Sequence, residues 1–213
     1  MIAEEYQKFM DLDAEKRERI LNAAMKEFLN GFKKASTDNI VREAGISKGL
    51  LFHYFGTKEN LYNFLVGYAI DIAKAEFLDL ININQPDILD SIWQLTLLKQ
   101  DLSNRYPTIF DFMTRVYVDD RDGPAKEHLD NFQLVHAKIL QDVYANADMS
   151  LFRDDVEPKK AMDILSWTLK GYGESITNTM DKDGIGAAAR ENYDAFLDEF
   201  KDYLSILRRC FYK

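Results

Sequence analysis

Apolar residues recur every three or four positions along almost the whole of this chain, and that period admits one fold class. Ile20, Leu21, Ala24, Met25, Phe28 and Leu29 form one stripe of a helix over Asp13–Phe32, with Lys16, Arg17, Arg19 and Lys26 elsewhere on the cylinder. The same spacing returns in Leu61, Phe64, Leu65, Tyr68 and Ile72, and again in Phe196, Leu197, Phe200, Tyr203, Leu204 and Leu207. A β fold would need two-residue alternation cut by frequent turns, yet 213 residues hold only 4 prolines and 10 glycines. Most of those few breakers lie between the periodic runs, at Gly31, Gly45, Pro86, Pro107, Gly123-Pro124, Pro158 and Gly184-Ile185-Gly186. The pattern predicts an all-α protein of about nine helices with no strand and no internal repeat. Long helices are predicted over Thr57–Ile81, Pro86–Asn104, Pro158–Met180 and Ala187–Phe211, with further segments after Pro107 and from Gly123 to Ala147.

Charge is unevenly divided. The chain carries a net −9. Residues 1–60 hold ten Lys/Arg and ten Asp/Glu, so all of the excess acidity lies in residues 61–213. A body of that sign is repelled by phosphate, which leaves the N-terminal end as the face able to meet a polyanion. The single cysteine, Cys210, excludes an intramolecular disulfide and a thiolate zinc site. His53, His128 and His136 are too scattered for a metal cluster, and nothing calls for a cofactor. The first 13 residues are acidic and lack an apolar run, and no stretch of about 18 apolar residues follows. The expectation is a cytoplasmic protein with no membrane partner.

The segment Ser36–Lys58 carries the function. Ser36 stands where an N-cap belongs, before a short helix Thr37–Ala44 with Ile40, Val41 and Ala44 on its apolar face. Gly45 supplies a tight turn, and Ser47 caps a second short helix from Lys48 to about Tyr54. Two short helices joined this way make a helix-turn-helix, whose second helix enters the major groove of DNA. Ile40, Val41, Ala44, Ile46, Leu51 and Phe55 are its expected core. Gly45-Ile46-Ser47-Lys48-Gly49, the aromatic run His53-Tyr54-Phe55 and the helix start Thr57-Lys58-Glu59 follow in order. Together they resemble the signature of the TetR (tetracycline-repressor-like) family of transcription regulators.

The resemblance implies an N-terminal three-helix DNA-binding domain, residues 1–57, and a C-terminal ligand-binding and dimerisation domain, residues 58–213. It implies a homodimer on palindromic double-stranded operator DNA, released by a small-molecule effector. The DNA-facing positions it implies are Ser36, Ser47, Lys48, Gly49, Leu50, Phe52, His53, Tyr54 and Lys58. Lys48 is expected in the groove, reading guanine or holding phosphate, and His53, Tyr54 and Lys58 at phosphates. Phe52 and Leu50 stand where the family often has tyrosine and a small polar residue, so contacts there are apolar. Asp38 suits the N-terminal end of its helix but faces phosphate poorly; it points away or accepts from a cytosine amino group.

In the C-terminal body, aromatic residues and methionines gather in the middle helices. Trp93, Phe110, Met113, Tyr117, Phe132, His136, Trp167 and Tyr172 are the candidate lining of a pocket for a hydrophobic or amphipathic effector. Ordinary core packing explains many of them equally well. Trp167, Ile176, Phe196, Phe200, Tyr203, Leu204 and Leu207 are the candidate dimer surface, since so apolar a terminal helix calls for partners in its own chain and in a second. No Ser/His/Asp constellation, paired carboxylates or phosphate loop stands out, which argues against an enzyme. A partner-binding adaptor tethered to DNA is the competing expectation.

Overall fold

The computed structural model describes residues 4–78, 85–119, 123–183 and 193–213. Its helices are α1 (Gln7–Met10), α2 (Ala14–Phe28), α3 (Thr37–Ala44), α4 (Lys48–Phe55), α5 (Lys58–Leu78), α6 (Ile88–Arg105), α7 (Pro107–Asp119), α8 (Lys126–Ala145), α9 (Pro158–Asp183) and α10 (Tyr193–Phe211). Two 3-10 turns, Glu4–Tyr6 and Met149–Leu151, accompany them. Among the described residues the only extended pairing is an isolated antiparallel bridge between Phe152 and Tyr212. The chain is all-α. The helix absent from the sequence reading is α1. The expected start of the last helix at Ala187 lies outside the described residues.

Local signals fix the helix ends in the N-terminal part. Asp13 caps α2, its carboxylate accepting from the backbone N–H of Glu15 and of Lys16 at 3.1 and 3.3 Å. Gly45 ends α3 in the left-handed region, at φ 64°. There the Ile46 N–H reaches the Val41 carbonyl at 3.0 Å and the Gly45 N–H the Arg42 carbonyl at 3.3 Å. This 6→1 and 5→2 pair closes the free carbonyls of the helix, and only glycine adopts the required φ without cost. Ser47 accepts from Leu50 N–H to start α4, and Thr57 from Asn60 N–H to start α5.

The chain forms two compact units. The first comprises Met1–Asp79 and Leu102–Leu134, the second Leu80–Asp101 and Val135–Lys213. The first has an aromatic core. Phe9, Phe28, Phe55, Tyr62, Phe64 and Phe112 are buried there with Ile20, Met25, Ile40, Leu51 and Leu65. Ring centroids lie 4.8 Å apart for Phe9–Phe55, 5.2 Å for Phe55–Phe64 and 4.9 Å for Phe28–Tyr62, in tilted arrangements that suit aromatic quadrupoles. Glu76 of α5 accepts from Arg105 at 2.6 Å and from Tyr106 at 2.9 Å, joining α5 to the α6–α7 junction. Those two bonds hold the Glu76 carboxyl below its usual range.

The second unit packs Ile88, Leu89 and Ile92 of α6 with Val143, Ala161, Leu165, Phe200, Leu204 and Leu207. Its C-terminus is tied down. Arg208 donates to Asp87 and to Asp90, each at 2.6 Å, and the Tyr212 hydroxyl donates to Asp87 at 3.1 Å. Among the described residues no helix is long and apolar enough to cross a membrane.

Candidate nucleic-acid interface

Helices α3 and α4 are the two short helices of the expected motif, with the predicted turn at Gly45. Ile40, Ala44, Leu51 and Phe55 are buried, while Val41 and Ile46 pack against the same core half-buried. Anchoring α4 by Leu51 and Phe55 turns its opposite side outward. Ser47, Lys48, Gly49 and His53 are exposed there, with Leu50 and Phe52 half-buried beside them. Tyr54 leans toward the core, its ring centroid 5.7 Å from that of Phe9. One surface of α4 thus gathers six of the nine residues expected at DNA.

Gly49 has no conformational reason to be glycine. A Cβ built on it meets nothing within 4 Å, and its φ is not positive. Helix interiors disfavour glycine by about 1 kcal/mol relative to alanine. The fold gains nothing from it, whereas a surface that another molecule approaches closely does.

Two expected site residues behave differently from the sequence reading. Ser36 occupies the N-cap position of α3, but its side chain makes no capping bond. Its backbone N–H donates instead to the Glu27 carboxylate at 2.9 Å, which also accepts from the Asn39 amide at 3.1 Å. Lys58 is turned inward. Its ammonium donates to the carbonyls of Phe32 and Ala35 at 2.8 and 3.0 Å and sits 4.7 Å from the Phe32 ring centroid. Those contacts close the turn between α2 and α3, a placement unlike the phosphate-facing one expected. Neither Glu27 nor Phe9 was singled out in the sequence, since each acts through residues distant from it in the chain.

At the outer surface Lys48 and Asp38 form an ion pair, Nζ to Oδ1 at 2.8 Å. Asn39 accepts from the Arg42 guanidinium at 2.8 Å. Lys33 and Lys34, on the turn after α2, are exposed. The cations here lie on α3, α4 and the α2–α3 turn.

Residues 20–64 match the bacterial regulatory proteins of the tetR family. The N-terminal domain is a TetR-family domain. No curated protein sequence matches the chain. Solved structures with the same fold include a TetR family transcriptional regulator from Chloroflexus aurantiacus, 19% identical, with a TM-score of 0.61 over 97% of this chain and 98% of that one. The ketosteroid transcriptional regulator KstR2 of Mycobacterium tuberculosis is 18% identical, with a TM-score of 0.61 over 95% and 97%. The regulator FadR of Bacillus subtilis, solved in complex with stearoyl-CoA, is 12% identical, with a TM-score of 0.57 over 85% and 95%. The TetR match spans α3, α4 and their packing partners in α2 and α5, so the outward surface of α4 lies on the matched domain.

The residues expected around an effector fall in both units. Phe110, Met113, Tyr117 and Phe132 belong to the first, where Met113 and Phe132 pack on the aromatic core and Tyr117 is exposed. Trp93, Trp167 and Tyr172 belong to the second. Tyr172 donates its hydroxyl to the Phe196 carbonyl at 2.7 Å, and Trp93 packs on the second core. The His136 side chain lies outside the described residues. Trp167 is 68% exposed, as a surface residue rather than a core one. Of the expected dimer residues, Phe200, Leu204 and Leu207 are buried within the second unit. Ile176 and Phe196 are half-buried and Tyr203 is exposed. Lys99 on α6 is also reached by solvent, yet the protein around its ammonium desolvates it and holds its pKa below the usual lysine range.

Proposed function

We propose that the protein is a ligand-responsive transcription regulator, a repressor that binds a palindromic operator as a homodimer and is released by a small hydrophobic or amphipathic molecule. The outward surface of α4 carries this reading. Polar and small residues at Ser47, Lys48, Gly49 and His53 face solvent on a helix whose inner side is locked by Leu51 and Phe55, within a TetR-family domain. A groove-reading helix needs that combination: rigid placement behind, and short or cationic side chains in front.

In this reading residues 1–57 are the DNA-binding domain and residues 58–213 the regulatory body. Ser47, Lys48, Gly49, Leu50 and Phe52 meet the groove, His53 and Tyr54 meet phosphate, and Ser36 presents its hydroxyl beside α3. Helix α5 follows the headpiece directly, and the Glu76 bonds to Arg105 and Tyr106 give effector-driven movement of α6–α7 a path to it. Amphipathic acyl compounds are the effector class to try first, because FadR of similar fold was solved with stearoyl-CoA and another neighbour is a gamma-butyrolactone receptor.

The test is selection of bound duplexes from a randomised library, followed by footprinting of the winners. Two protected half-sites related by inverted repetition, with protection weakened by an acyl compound, are expected. Binding that shows no sequence preference, or no response to any compound of a broad apolar library, contradicts the reading.

A further inference from the structure

The Lys48–Asp38 pair joins the first residue of α4 to the first turn of α3 across the proposed DNA-reading surface. Its 2.8 Å separation is that of a direct ion pair, and the two side chains are 51% and 69% exposed. A pair this exposed adds about 0.2–1 kcal/mol at most to stability, so the fold has little use for it. Its effect is electrostatic and falls on whatever approaches. Lys58 is engaged with two carbonyls inside the domain, and the Arg42 guanidinium is bonded to Asn39. The lysine best placed to meet DNA is thus held by a carboxylate that DNA itself repels.

Sequence-independent binding to duplex DNA comes from cations that displace counterions at phosphates. A lysine already neutralised by a neighbour displaces fewer. Base edges in the major groove offer something phosphates do not. Guanine presents two acceptors to a lysine, and cytosine an amino donor to a carboxylate. On a suitable base step, therefore, both members of the pair gain a partner; on a bare phosphate Lys48 gains one only by leaving Asp38 unpaired beside negative charge.

We propose that Asp38 is a specificity-determining residue of the DNA interface: by holding Lys48 it suppresses sequence-independent phosphate binding and leaves base-directed binding favoured. This rests on the reading of α4 as the DNA-facing helix. Asp38 acts through Lys48, so its effect depends on that lysine being present.

The experiment uses the full-length protein as wild type, Asp38→Asn, Lys48→Ala and the double variant. Each is titrated across salt concentrations with a mixed-sequence duplex of roughly 30 base pairs, long enough for two half-sites, and with a duplex selected by the wild type from a random library. Asp38→Asn is expected to bind the mixed duplex more tightly, by roughly eightfold per headpiece near 0.1 M salt, with the salt slope steeper by about 0.9 per headpiece. Its preference for the selected duplex falls accordingly. In the Lys48→Ala background the same Asp38→Asn change has little effect. Either single substitution lowers the unfolding temperature by at most a few degrees. If wild type binds duplexes but Asp38→Asn leaves mixed-duplex affinity and salt slope as they were, the proposal is wrong while the DNA-binding reading stands. An equal gain with and without Lys48 overturns it too, because the carboxylate then acts as a generic repulsive charge. Failure of all four proteins to bind any duplex at low salt removes the DNA-binding reading, and the proposal with it.

Discussion

Phe9 lies with its ring 4.8 Å from that of Phe55, fully buried, so a residue ahead of the helix-turn-helix supports α4 from behind. The same ring is 5.4 Å from Phe64 of α5, and Arg17 holds the end of α1 in place by donating to the Met10 carbonyl at 2.5 Å. The short N-terminal helix thus packs on α4 and α5.

Phe9→Ala removes a large buried aromatic side chain and is expected to cost about 3–5 kcal/mol of stability in the first unit. DNA binding falls with it, because Tyr54 and Phe55 of α4 lose their backing. Phe9→Leu, which keeps most of the volume, is expected to cost less and to retain binding. Urea unfolding followed by circular dichroism measures both. An unchanged midpoint for Phe9→Ala contradicts the packing role.

The two helices of the motif were legible in the sequence because their signals are local. Gly45 and Ser47 stand within three residues of each other and mark the end of α3 and the start of α4. Helix α1 was not legible. Four residues cannot display a 3.6-residue period, and the acidic surroundings of Phe9 resemble a solvated terminus. Lys58 was legible as a cation but not as an inward one, since the carbonyls that receive it belong to Phe32 and Ala35. Ser36 shows the same limit: a capping residue type stands at the capping position, yet Glu27, nine residues earlier, takes its N–H. In the body, the apolar stripe of α10 is legible in the sequence as apolar. Which part faces inward depends on α9 and α6, and sequence period alone does not divide it.

Lys58→Met keeps the aliphatic stem over Phe32 and removes the ammonium. Two carbonyls then lose a charged donor, and stability is expected to fall by about 1–3 kcal/mol. DNA affinity falls on all duplexes alike, through a looser α2–α3 turn, with the salt slope nearly unchanged. A slope reduced by roughly 1 per headpiece instead assigns Lys58 to phosphate.

Acid is expected to loosen the second unit through Asp87. Burial raises the pKa of its carboxyl, but the Arg208 guanidinium, the Asp90 N–H and the Tyr212 hydroxyl outweigh burial and leave it below the ordinary 3.8. A group depressed in the folded state contributes stability that is complete above its unfolded pKa and is lost as pH falls through the folded one. Wild-type stability should therefore hold from neutral pH to about pH 4 and decline below it. Asp87→Asn begins less stable and declines less, so the difference between the two curves closes in acid. Denaturation midpoints across that range measure it, and a difference that stays constant contradicts the assignment.

Phe200, Leu204 and Leu207 of the expected dimer surface are core, and we propose that the dimer forms instead on the apolar residues the second unit leaves uncovered. Among the described residues of α9 and α10 these are Ile164, Trp167, Tyr203 and Ile206, Trp167 at 68% exposure and Ile206 at 46%. Trp167→Glu is expected to give folded monomers, and Phe200→Asp, in the core, to unfold the unit. Sedimentation with circular dichroism separates these outcomes. Trp167→Glu that still sediments as a dimer moves the interface elsewhere.

Whether the outward surface of α4 reads bases is decided by Lys48→Ala. Affinity is measured on the selected duplex and on versions altered one base pair at a time. A loss of about 1–3 kcal/mol per half-site is expected on the selected duplex, and a smaller loss on variants of one base position, where the lysine has already lost its partner. A loss equal on every sequence, scrambled DNA included, makes Lys48 a phosphate contact. No loss on any of them contradicts the placement of α4 in the groove.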